Sequence, residues 1–221
     1  MTEYKKVFDE ISEVSGGKGV VLVAVSKFHP YEMVEEAYRE GARIFGENRV
    51  QEMREKFPPK GERPEGMKVY LIGQLQRNKV KKALEWADRI ESVDSIPLID
   101  KIEESCEALG INMEILLEFN SSGEAQKSGF SSEDDLMQAA EHAAGCSHLI
   151  VKGIMTIGPL GSDEEKNRRA FKRTKDLYDK LAVIYPSFSV LSMGMSGDWR
   201  TALECGSDEV RIGTAIFGER A

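Results

Sequence analysis

Short runs rich in β-branched and other apolar residues recur along this chain, each followed by a stretch with helical spacing, and that alternation constrains the fold most strongly. The strand-like runs fall at residues 20–27, 43–46, 68–73, 89–93, 113–120, within 149–157, at 189–195 and at 209–216. Between them the apolar residues take the period of a helix, as in the segment carrying Leu98, Ile99, Ile102, Cys106 and Leu109. A strand that returns only after a helix pairs in parallel with its predecessor through a right-handed crossover. Eight such units predict an α/β fold, a single TIM-type (β/α)8 barrel, with an extra amphipathic helix over residues 2–14. An open doubly wound sheet competes, but no G-x-G-x-x-G follows any run. Barrels of this type take about 250 residues, with a lower end near about 200. A chain of 221 residues is therefore expected to be one domain over 1–221, with no spare length for a second.

Composition narrows the function classes. Hydrophobic residues at 41% and charged residues at 31% are ordinary for a globular protein. A net charge of -8 argues against a general nucleic-acid binder, and the basic clusters at 77–82 and 168–173 read as solvated helix faces. Cys106, Cys146 and Cys205 are far apart with no C-x-x-C pair, which points to reduced thiols and a cytoplasmic protein. His29, His142 and His148 lack metal-ligand spacing, so no metal site is expected. No apolar stretch approaches the ~20 residues that span a bilayer. Residues 57–66, rich in Pro, Lys and Gly, read as the one flexible loop.

The first run ends on Lys27. A lysine where a buried strand stops either marks the strand end and reaches solvent, or is a desolvated amine ready to form a Schiff base with a carbonyl. In a parallel barrel the chemistry lies at the carboxyl ends of the strands, which here carry Lys27, Asn48, Gln74 to Gln76, Asn120, Thr156, Ser196 and Arg211 to Thr214. Ser196-Gly197 ahead of a short helix, with Gly213-Thr214 at the neighbouring strand end, has the makings of a phosphate cradle. A helix cap and a turn are the plainer readings. An amine and a phosphate cradle on one rim point to pyridoxal 5'-phosphate (PLP). Arg211 completes the constellation if it faces the barrel mouth, where a permanent positive charge would keep a pyridine nitrogen unprotonated; an ion pair with Glu209 or Asp208 is the alternative.

These residues carry a resemblance. The stretches 23–27 (VAVSK), 45–52 (FGENRVQE), 72–79 (IGQLQRNK), 127–129 (KSG), 153–156 (GIMT), 192–196 (SMGMS) and 210–218 (VRIGTAIFG) are similar, in order and over nearly the whole chain, to the YggS-like PLP homeostasis family. The resemblance implies a barrel like the N-terminal domain of alanine racemase, with PLP joined to Lys27 as a Schiff base. It implies phosphate contacts from Ser196, Gly213 and Thr214, Arg211 at the pyridine nitrogen, and Asn48 and Met193 among the cofactor contacts. Lys127 matches a second lysine linked to cofactor handling. Tyr70, where many relatives have histidine, and Trp199-Arg200, in place of a Met-Glu pair, depart from the pattern without touching the lysine and phosphate set.

The implied role is a PLP carrier or buffer that maintains free PLP and amino-acid balance, with no robust turnover and apo-enzymes as recipients. A racemase needs an acid/base on each face of the substrate, and the resembling racemases supply one from another domain. The alternatives are a PLP-dependent racemase or lyase, and a Schiff-base aldolase in which Lys27 attacks a sugar-phosphate carbonyl. With no long apolar helix face left over, a monomer is expected.

Overall fold

Strand β1 (Val21–Val25) has neighbours on both sides: β2 (Ile44–Glu47) pairs with it in parallel, and so does β8 (Glu209–Ile212), Val21 opposite Glu209 through Ala24 opposite Ile212. Between them β3 (Lys68–Leu71), β4 (Arg89–Val93), β5 (Met113–Phe119), β6 (Leu149–Thr156) and β7 (Val190–Ser192) follow in chain order and close the ring. Every pairing is parallel. The computed structural model thus forms the (β/α)8 barrel that the alternation predicts; it describes residues 2–219 apart from 125, 160 and 162.

Helices α2 (Tyr31–Arg39), α3 (Val50–Lys56), α4 (Val80–Trp86), α5 (Ile96–Leu109), α6 (Glu133–Ala144), α7 (Glu164–Ile184) and α8 (Trp199–Glu204) join successive strands, and α9 (Thr214–Phe217) follows β8. The extra helix α1 (Tyr4–Val14) buries Tyr4, Val7 and Ile11, and the chain leading into it is tied to α9 by the Glu3 amide donating to Ile216 O at 2.9 Å. In α5, Pro97 sits in the first turn and Gly110 ends the helix in the left-handed conformation at φ 64°. Its Leu98, Ile99, Ile102 and Cys106 recur at helical spacing and are fully buried. Each such aliphatic side chain contributes about 1.5–3 kcal/mol of burial. All three cysteines are free. Among the described residues no helix is long and apolar enough to cross a membrane.

The structure corrects several element ends. β1 stops at Val25, and Lys27 stands in the turn beyond it. The eighth run divides: β8 ends at Ile212, and the Ile216 and Phe217 amides fold back onto Gly213 O to start α9. The cap of α6 is Ser132, whose hydroxyl accepts from the Asp135 amide at 3.0 Å; Ser131 with Asp134, the adjacent capping pair in the sequence, does not serve. Residues 57–66 are tied down rather than loose: Arg63 donates to the Asp88 carboxylate at 2.7 Å and Trp86 O at 2.6 Å, and Lys60 donates to Leu84 O at 3.0 Å. Counting Pro and Gly there misses the long cations that reach α4 and the start of β4.

The barrel interior is charged. β4 and β8 lie four strands apart in the ring, so a contact between them must cross the lumen. Arg89 of β4 makes one, its Nη1 donating to Glu209 Oε2 of β8 at 3.0 Å. Because strand side chains alternate between faces, Glu91 and Arg211 point inward with them. All four are buried.

Candidate functional site

The turn after β1 is held by side chains from β2 and α3. Ser26 Oγ donates to Glu47 Oε1 at 2.7 Å; Lys56, from the end of α3, donates to Ser26 O at 2.7 Å, to Glu47 Oε1 at 2.7 Å and to Glu52 Oε1 at 3.0 Å. Glu52 also accepts the Phe28 amide, and the His29 amide returns to Ser26 O at 3.1 Å. Phe28 adopts φ 66°, a conformation that a residue with a Cβ holds only when its surroundings enforce it. The enforcing groups are Glu52 and Lys56, so Lys27 leaves a backbone fixed on both sides. Burial raises the Glu47 carboxyl above its usual range, and Lys56 opposes that rise.

Lys27 opens into a cavity of about 280 Å³ at the carboxyl ends of the strands. Asn48, Ser196, Arg211, Gly213 and Thr214 line it with Lys27, so six of the residues singled out in the sequence meet in one place. Asn48 Oδ1 is buried and accepts no hydrogen bond from the protein, which fits an acceptor for a ligand O–H or N–H. At Gly213 a Cβ would stand 3.0 Å from Val25 O, so the bare backbone keeps this wall open. Around Gly197 a Cβ would meet nothing within 4 Å, which leaves space beside the Ser196 hydroxyl. The helix beyond begins at Trp199, and the Asp198 carboxylate accepts the Met195 amide at 2.6 Å.

Arg211 does not pair with Glu209 or Asp208. Its Nη1 donates to Ser192 Oγ at 2.5 Å and its Nη2 to Thr156 O at 2.7 Å, both neutral acceptors, while Glu209 is taken by Arg89. The guanidinium therefore brings its charge to the cavity wall. His29 lines the same cavity, stacked on Phe217 with centroids 5.4 Å apart; burial first, and Lys56 second, lower its imidazole below the ordinary value, which keeps it neutral at pH 7.

Two named residues lie elsewhere. Met193 is fully buried in the apolar core, its amide taken by Glu209 O, and the cavity is lined instead by Met195 two residues on. Lys127 sits on the loop after β5, donates to Gly158 O at 2.7 Å and pairs with Glu124 at 3.3 Å; its loop neighbours the cavity wall at Ile157. Sequence reasoning missed His29, the Glu52 and Lys56 clamp, and the apolar lining from Ile72 and Ile157. The clamp had a signal, since Glu47, Glu52 and Lys56 cluster within ten residues, but none of the three side chains lines the cavity.

The family model described as the N-terminal domain of alanine racemase matches residues 5–221. The pyridoxal phosphate homeostasis protein of Helicobacter pylori is 39% identical over 201 residues, 90% of this chain and 88% of that protein. The structure of PipY from Synechococcus elongatus with PLP bound superposes with a TM-score of 0.81 at 34% identity, covering 90% of this chain and 93% of that one. An alanine racemase from Clostridium difficile shares the fold at a TM-score of 0.76 and 15% identity, with 94% of this chain covering 58% of the racemase. By family match, identity and coverage together, the chain belongs to the pyridoxal phosphate homeostasis proteins of the alanine racemase N-terminal domain family.

Proposed function

We propose that this protein binds PLP in the Lys27 cavity and acts as a reservoir for intracellular PLP homeostasis, with consequences for amino-acid balance. The convergence of a primary amine, an unpartnered buried amide oxygen and two glycine-hydroxyl segments on one cavity of about 280 Å³ carries this reading. PLP supplies an aldehyde that condenses reversibly with a primary amine. The clamped turn delivers Lys27 to that aldehyde. Ser196, Gly197, Gly213 and Thr214 would hold the phosphate, and Asn48 Oδ1 would accept from the ring hydroxyl. Arg211 would face the ring nitrogen, where its permanent charge disfavours a second positive charge and so weakens the ring as an electron sink. That arrangement favours holding the cofactor over turning over substrate. Lys127, one loop away, would meet PLP on entry or exit. The recipients would be apo-forms of PLP-dependent enzymes, and the protein would act as a cytoplasmic monomer.

A second reading, an amino-acid racemase or lyase, has one observation in its favour: the neutral imidazole of His29 on the cavity wall. Mixing PLP-loaded protein with an unrelated apo-enzyme separates the two. The reservoir reading expects recovery of the apo-enzyme's activity and no amino-acid turnover at an enzymatic rate. Turnover that disappears in His29→Ala would decide for the second reading.

A further inference from the structure

Two glutamates inside the barrel each keep one oxygen that accepts no hydrogen bond. Glu91 on β4 and Glu209 on β8 are 0% and 1% exposed, and Oε1 of each is buried without a hydrogen-bond partner. Their other oxygens are occupied: Glu209 Oε2 accepts from Arg89 Nη1 at 3.0 Å, and Glu91 Oε2 accepts from the Ser192 hydroxyl at 3.1 Å. The two carboxyl groups are neighbours around one atom, Arg89 Nη1, which lies 3.0 Å from Glu209 Oε2 and 3.8 Å from Glu91 Oε1. Two carboxylates can donate nothing to each other, Arg89 Nη1 is bonded to Glu209 and stops 3.8 Å short of Glu91, and at this depth the repulsion of two charges is poorly screened. One proton shared by the two carboxyl groups would supply the donor that the pair lacks.

The surrounding charges do not remove the need for that proton. Tyr70 of β3 lies under the Arg89 guanidinium, whose carbon is 4.3 Å from the ring centroid. Arg89 already serves Glu209 at 3.0 Å and Glu114 of β5 at 3.2 Å, and reaches Glu91 only at 3.8 Å. Glu118 of β5, bonded by Ser128 at 2.7 Å, adds a further acidic group rather than a cation. Arg211 of β8 spends its guanidinium on Ser192 Oγ and Thr156 O. Burial, and then the charge of Glu209, raise the Glu91 carboxyl well above the usual range.

We infer that Glu91 is a carboxylic acid sharing its proton with the Glu209 carboxylate, and that its neutrality, relayed through the Ser192 hydroxyl, keeps Arg211 unpaired and aimed at the cofactor cavity. Glu91 is then a positioning residue for Arg211, and its bearing on the cofactor rests on the PLP reading above. An ionised Glu91 would draw the guanidinium into a buried ion pair and neutralise the charge offered to the ring nitrogen. The neutral acid leaves that charge at the wall.

The proton is tested without cofactor, by urea unfolding of the PLP-free full chain and its Glu91→Gln variant from about pH 5 to about pH 8. A group whose folded pKa is raised contributes stability that is lost as pH rises, because the unfolded chain releases the proton first. Glutamine keeps the shape and donates toward Glu209 without titrating. The variant is therefore expected to gain on wild type by about tenfold in folding equilibrium constant per pH unit. An infrared difference spectrum at neutral pH is expected to show a protonated-carboxyl band in wild type that the variant lacks. A pH-independent difference with no such band would overturn the shared proton, whether or not PLP binds. If Glu91→Gln does not fold, the band of the wild-type chain labelled at glutamate decides alone. The link to Arg211 is tested by Ser192→Ala, which cuts the relay: it is expected to weaken PLP binding about tenfold and to move the pH at which the bound cofactor's absorption changes. Unchanged affinity and titration in that variant would break the link while leaving the shared proton standing.

Discussion

At Lys27 a long, flexible amine is aimed by residues that do not line the cavity. Phe28 is held at φ 66° because its amide has an acceptor in Glu52, and Glu52 and Glu47 are held in turn by Lys56. The Lys56 side chain is 8% exposed and that of Glu47 0%, so removing the cation strands a buried carboxylate. Lys56→Met is expected to cost about 3–5 kcal/mol in chemical denaturation at neutral pH, with PLP affinity lost alongside. A cost below about 1 kcal/mol would mean that the pair is solvated and the turn is fixed by something else. Residue identity alone made Lys27, Asn48, Ser196, Arg211, Gly213 and Thr214 legible, because each ends or follows a strand at the rim. Met193 was misplaced by two positions relative to the cavity lining for a related reason. The strand alternation that turns Met193 into the core continues past β7 through Gly194, whose φ of 97° turns the chain toward Met195 and the cavity.

Element existence was legible for every strand and every long helix, since period and apolar runs report burial directly. Element ends were less so. Where two capping residues stand side by side, as at Ser131 and Ser132, sequence offers both and backbone geometry selects one. Ser132 accepts the Asp135 amide, whereas Ser131 donates to the Asp135 carboxylate on the exposed surface. Ser132→Ala is therefore expected to lower stability by about 1 kcal/mol and Ser131→Ala by less than half of that, read from paired urea midpoints. Equal losses would place the cap back at Ser131. The division of the eighth run follows the same logic: 209–216 is apolar enough for one strand, but Gly213 O accepts two amides and turns the chain into α9, which sets Gly213 and Thr214 on the rim.

Across the whole molecule the barrel joins residues that the sequence keeps apart. Arg89 and Glu209 are 120 positions from each other, and Glu91 and Ser192 are 101 apart, yet each pair is bonded across the lumen. No local pattern announces such partners; the charges at 89, 91, 209 and 211 read as ordinary strand polarity until the ring closes. In the closed ring the pairing of β8 with β1, Arg211 opposite Val23, ties Arg211 to the strand that leads into Lys27, so the charge and the amine belong to one frame. In the proposed function Lys27, among all the amines of the chain, is the one that holds PLP covalently. The direct measurement is borohydride reduction of the PLP-loaded protein followed by peptide mapping in a mass spectrometer. A yellow protein that bleaches and carries a pyridoxyl group on Lys27, with the label absent in Lys27→Ala, is the expected result. A protein that stays colourless with PLP, or a label spread over other lysines in the wild-type chain, would contradict it.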